Sequence, residues 1–178
     1  MKCWTTIGCT LLVALWPFVE PATQREPEVI GNIERAVKEL DPEWACERKV
    51  VPHGEPGPES PRGTKYEFVC RHQNRTLLIW GLYGDAKSDA EKELESSQRL
   101  QIDESKPLAG LGDQAYELGK ESFAWINFRK ANVFVHVQAG LNRAQQTEES
   151  STVQVSSAPL LEVVKRFAVR VAAQIPMD

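Results

Sequence analysis

The sequence predicts an α+β fold: an antiparallel sheet of about five to six strands in hairpins, covered by about three helices. Three observations predict it. Apolar residues recur at helical spacing in stretches 29–40, 86–97 and 160–175. Between them lie runs that alternate with period two or are continuously apolar, rich in Val, Ile, Phe, Tyr and Trp. Short turn-forming segments separate these runs at hairpin spacing: His72-Gln73-Asn74-Arg75, Gly119-Lys120 and Arg129-Lys130-Ala131-Asn132.

Residues 1–22 precede the fold and read as an export signal. Lys2 supplies the positive start, 7–19 the apolar run, and polar sequence from Glu20 onward ends it. The run is shorter than the roughly 20 apolar residues a spanning helix needs, and it contains Pro17. The expectation is a cleaved leader followed by a single exported domain, 23–178, periplasmic or secreted. The alternative is an uncut leader that anchors the chain. Cys9 follows Thr6-Ile7-Gly8, as in a lipoprotein attachment box, but lies ahead of most of the apolar run, so lipidation is not expected there.

The leader also reorganises the cysteines. Of four, Cys3 and Cys9 belong to it, leaving Cys46 and Cys70, 24 positions apart. Only one internal pairing is possible, and an oxidising compartment lets it form. A bridge would bring the Cα atoms within roughly 4.4–6.8 Å and stabilise the fold by about 3 kcal/mol. The alternative is a pair of buried free thiols. Net charge is −4, and Lys2 and Glu20 cancel, so cleavage leaves it unchanged. An acidic chain with no basic block argues against nucleic acid and anionic membrane surfaces. Membrane attachment is expected only if the leader is retained.

The elements follow in order. Val29, Ile33, Val37 and Leu40 mark a first helix, stopped by Asp41-Pro42. Residues 44–51 read as a strand. Residues 52–63 form a Pro/Gly loop with Val51 and Thr64 at its ends and no apolar side chain except proline, a composition that packs no core and reads as flexible. In 64–71, Tyr66, Phe68 and Cys70 alternate onto one face; 76–83 is apolar on both faces and so belongs at the centre of the sheet. Ser88 with Glu91, or Asp85, caps a second helix whose inner face is Ala86, Ala90, Leu94 and Ser97. Strands end at Tyr116 and run through 122–128 and 133–138, with Val133, Val135 and Val137 on one face and Phe134 and His136 on the other. After a polar loop at 142–152, Ser157-Ala158-Pro159 opens a third helix with Leu160, Val164, Phe167, Val171 and Ile175 as its buried stripe.

The run Leu108-Ala109-Gly110-Leu111-Gly112-Asp113-Gln114-Ala115-Tyr116, then the turn Arg129-Lys130-Ala131-Asn132 before the last strand, then an amphipathic helix, resembles small exported bacterial proteins and lipoproteins of the PsbP-like α/β/α sandwich group. The resemblance covers residues 76–175. It implies the sandwich fold and a binding or assembly role. Ala109 and Ala131 stand where the pattern usually carries Pro and Gly. At the turn, either Asn132 takes the positive φ or the turn is of another type.

No residue pattern predicts catalysis, a cofactor or a metal site. Asp113 follows two glycines and is read as a turn aspartate satisfying backbone N–H groups. His136 is read as a half-buried sheet residue, and His53 and His72 have no ligand cluster at metal spacing. No nucleophile elbow, phosphate loop or dinucleotide fingerprint is present. Trp44, Trp80 and Trp125 fall on expected strands, and core packing is the default for each. Phe123 and Trp125 share a face with Asn127 and are the candidates for an exposed aromatic partner contact. Asn74-Arg75-Thr76 is a glycosylation triplet, relevant only in a eukaryotic secretory route. The expected function is a non-enzymatic binding or assembly module of the cell envelope, its partner an envelope protein or small ligand. The alternatives are a small extracytoplasmic hydrolase whose site converges only in three dimensions, or a structural envelope component held by an uncut leader.

Overall fold

A computed structural model describes residues 27–49, 51, 60–99, 104–120, 122–141 and 158–177. The expected export signal, most of the Pro/Gly loop (52–59) and the polar loop 142–152 lie outside the described residues.

Helix α1 (Glu28–Leu40) buries Ile30, Ile33, Ala36 and Val37 on one stripe and ends where Asp41 turns extended. The Trp44 N–H donates to the Asp41 carbonyl (3.0 Å) and swings the chain into strand β1 (Ala45–Lys49). Strands β2 (Gly63–His72) and β3 (Arg75–Gly84) form a hairpin across Gln73-Asn74. Helix α2 (Lys87–Arg99) follows, then β4 (Lys106–Pro107), β5 (Gln114–Gly119), β6 (Phe123–Lys130), β7 (Val133–Leu141) and helix α3 (Ala158–Ala172).

The sheet is antiparallel, in the order β1-β2-β3-β7-β6-β5-β4. Its seven strands exceed the expected five to six. The extra one is β4, whose two residues are too few to carry a period. β3, apolar on both faces, is an inner strand as expected, pairing with β2 and β7. The alternation of side chains then divides the structure into layers. Tyr66, Phe68, Leu77, Ile79, Ile126, Phe128 and the valines of β7 form the main core with α1 and α3. On the other face Leu82 and Phe134 meet Ala90 and Leu94 of α2, with Trp80 and Tyr116 packed alongside.

The cap of α2 differs from expectation. Neither Ser88 nor Asp85 caps it. Asp89, one of few buried charges, accepts the Ala86 N–H at 3.0 Å and the Arg62 N–H at 3.2 Å. A third-position carboxylate reaching back to the capping residue is half of a capping box, and the Arg62 contact ties the helix to the entry of β2.

Cys46 and Cys70 form a disulfide with an S–S distance of 2.11 Å. The residues lie directly opposite in the β1–β2 register, and their Cα atoms are 3.9 Å apart, closer than the expected lower bound of about 4.4 Å. Trp44 lies just ahead of β1 rather than on it. It is buried edge-on against Phe167 of α3, with ring centroids 5.9 Å apart.

Candidate functional site

Three groups of residues are candidates for function, and the fold separates them. The first lies on the α2 side of the sheet. Register places Trp80, His136 and Asn127 in one row across β3, β7 and β6, with Gln138 and Trp125 paired in the next row. The His136 ring lies between two indoles: 5.3 Å from Trp80 at 30° and 6.2 Å from Trp125 at 29°. Its Nδ1 meets Asn127 Oδ1 at 2.5 Å, and Nε2 meets Gln138 Oε1 at 3.2 Å. Burial pushes the His136 pKa down to about 4, against the Gln138 hydrogen bond, which raises it. The ring is therefore neutral at pH 7 and carries one N–H, shared between the Asn127 and Gln138 sides according to its tautomer.

This arrangement corrects the expected aromatic patch. Trp125 is only 1% exposed. β6 is an inner strand between β7 and β5, so the indole has neighbours on both sides as well as the His136 ring. Phe123, at the start of β6, is half-buried with Lys120 Nζ 5.9 Å above its ring. Trp125 offers no surface to a partner. His136 is also more buried than the half-buried residue expected.

The second group surrounds Asp113. Its Oδ2 accepts from Arg129 Nη1 at 2.8 Å and from the Ala131 N–H at 3.1 Å. The Arg129 guanidinium also donates to the Ala131 carbonyl at 3.4 Å. Ala131 takes the positive φ of the β6–β7 turn, +52°, where Asn132 was one of two expected solutions. Asn132 instead donates through Nδ2 to the Gly84 carbonyl at 2.7 Å, and Lys130 Nζ reaches the Ala172 carbonyl at the end of α3 at 2.9 Å. Gly112 has φ +68° and lies so close to the Arg129 carbonyl that a Cβ would overlap it. The Gly-Leu-Gly-Asp run and the Arg-Lys-Ala-Asn turn are thus two halves of one clamp. Among the described residues every partner of Asp113 is a cation or a backbone N–H, and none is shared with His136. The structure does not assemble Asp113 and His136 into one site.

The third group was missed by sequence reasoning. A groove of about 700 Å³ runs along α3 beside the end of α1. Leu40, Val163, Val169 and Ala173 give it an apolar floor, and Glu162, Lys165, Arg166 and Arg170 its polar rim. Arg166 reaches across to Asp41 at 2.8 Å, holding the α1 end against α3. Lys165 pairs with Glu117 at 3.1 Å. Val169 is 61% exposed, one of two large hydrophobic residues so exposed among the described residues, with Met177 beyond α3 the other.

Profiles of known protein families, curated proteins and solved structures give no match to this chain.

One sequence signal points to the groove: Val163 and Val169 lie off the stripe Leu160-Val164-Phe167-Val171, so α3 is apolar beyond its buried face. Among the described residues no group of three or more His, Cys, Asp or Glu converges as a metal site would, and no helix is long and apolar enough to cross a membrane.

Proposed function

We propose that this protein is an exported, non-enzymatic binding or assembly module of the cell envelope on a PsbP-like sandwich. Its working contact is the α1–α3 groove rather than the aromatic face of the sheet. The groove carries this reading: an apolar slot with an exposed valine is unusual where nearly all large hydrophobic residues among those described are covered. The titratable groups best placed for chemistry support it from the other side. His136 is committed to Asn127 and Gln138 between two rings, and Asp113 to the turn of β6 and β7. The Cys46–Cys70 bridge suits an oxidising compartment.

Site-specific photo-crosslinking in the native envelope fraction tests the reading. A photoreactive residue at Val169 is expected to give discrete adducts, and one at exposed Glu91 on the opposite layer none. Equal labelling at both positions, or a hydrolytic turnover abolished by His136→Ala in a folded protein, would overturn it.

A further inference from the structure

We infer that the α1–α3 groove takes an amphipathic peptide segment that places carboxylates beside a row of aliphatic side chains, with Arg170 as the cation that receives them. The inference rests on the groove being the working contact and adds the chemistry of what fills it. The groove has three cations on its rim and one carboxylate, Glu162. Two of those cations are engaged within the fold: Lys165 by Glu117 and Arg166 by Asp41. Arg170 is exposed and makes no ion pair with any described residue. A guanidinium beside an apolar floor matches a carboxylate geometrically, through parallel N–H donors, as well as electrically. Val169 and Ala173 lie near it at helical spacing and offer a shallow slot for aliphatic side chains, the arrangement used when a helix lies in a groove.

The same observations disfavour the other occupants. A second copy docked about a two-fold axis would set one basic rim against another. An anionic lipid surface would need side chains that enter the acyl layer, and the short side chains of Val169 and Ala173 would insert little. An acidic amphipathic segment meets neither objection.

The test uses the exported protein and two short helical peptides, both with leucines along one face, flanked by glutamate in one and lysine in the other. Fluorescence anisotropy is expected to show binding of the glutamate peptide that weakens with added salt. Arg170→Glu and, separately, Val169→Asp should each weaken it by about tenfold or more, and Arg170→Glu should shift preference to the lysine peptide. Both side chains are exposed, so circular dichroism should be unchanged. Equal binding of both peptides, or none, would overturn the inference. So would co-flotation with phosphatidylglycerol vesicles in place of peptide binding, or a dimer that Val169→Asp disrupts. Adducts at Val169 without glutamate-peptide binding would remove the partner chemistry and leave the contact surface standing. Glutamate-peptide binding without adducts would do the reverse.

Discussion

At Trp125 a ring that is 1% exposed carries an indole N–H with no acceptor among the described residues. The ring and the N–H therefore pull in opposite directions. Truncation to Ala should destabilise the fold by about 3–5 kcal/mol through the cavity it leaves. Trp125→Phe keeps most of the packing and removes an unpartnered donor, which by itself costs about 1–3 kcal/mol when buried. The Phe variant is expected to unfold in urea close to the wild-type midpoint, and the Ala variant far below it. Asp113 gives the opposite case, because its partners depend on it. The Arg129 side chain is only 10% exposed, and Asp113 is its one carboxylate partner among the described residues. Asp113→Ala should lower stability by about 2–3 kcal/mol, the scale of hydrogen bonds to charged groups. Asp113→Asn, which can still accept the Ala131 N–H, should lose less. The same urea titrations check both.

Strand β1 is held to the fold differently from the rest of the sheet. It is an edge strand of five residues, four of them exposed, so it buries little of its own. Glu47 and Lys49 on its outer face, with Arg48 on the other face reaching Glu34 of α1 at 3.8 Å, discourage pairing with another chain. Glu47 accepts from Arg71 at 2.8 Å and Lys49 at 2.9 Å, and these two hydrogen bonds hold its carboxyl down at about 2. Such surface pairs contribute little, so the Cys46–Cys70 bridge is the main tether. Cys70→Ser is expected to lower stability by about 2–4 kcal/mol. Hydrogen exchange should show the amides of Ala45–Lys49 losing protection first, while β3, β7 and β6 keep theirs. Uniform loss of protection across the sheet would show that β1 is held by packing instead. One strand inward, the β2–β3 pair is fitted by a glycine. Tyr66 lies opposite Gly81, and its hydroxyl donates to the Phe134 carbonyl at 3.2 Å. A Cβ at Gly81 would overlap both groups.

Across the whole molecule, the layer beneath α2 sets an acid limit. The folded-state pKa of His136 is pushed down from 6.5 to about 4, chiefly by burial. Between those values the unfolded chain binds a proton that the folded chain refuses, so stability rises with pH across this window. The contribution is fully present above about 6.5 and is lost as pH falls to about 4, an effect on the order of 3 kcal/mol. Urea unfolding followed from pH 7 to pH 4 should show this decline, and His136→Gln should flatten it. An unchanged slope in the variant would assign the acid sensitivity to other groups.

What the sequence determined by itself was the type and order of the elements. Helices α1, α2 and α3 announce themselves through a period of 3.6, and strands β2, β3, β6 and β7 through a period of 2 or a continuous apolar run, within a few residues of chain. The Cys46–Cys70 pairing was also readable, once Cys3 and Cys9 were set apart from the folded segment. Tertiary structure decided the rest, because each remaining feature depends on a neighbour distant in sequence. β4 exists only because Lys106 and Pro107 lie beside Glu117 and Tyr116. Trp125 is covered because β7 brings His136 against it, which nothing in Phe123-Ala124-Trp125-Ile126-Asn127 reveals. Ala131 holds a positive φ because Asp113 and Arg129 grip its N–H and carbonyl. The groove forms because Asp41 and Arg166, 125 residues apart, join the end of α1 to α3. Local periodicity says which face of an element is apolar; only the packing of the other elements says how much of that face is covered.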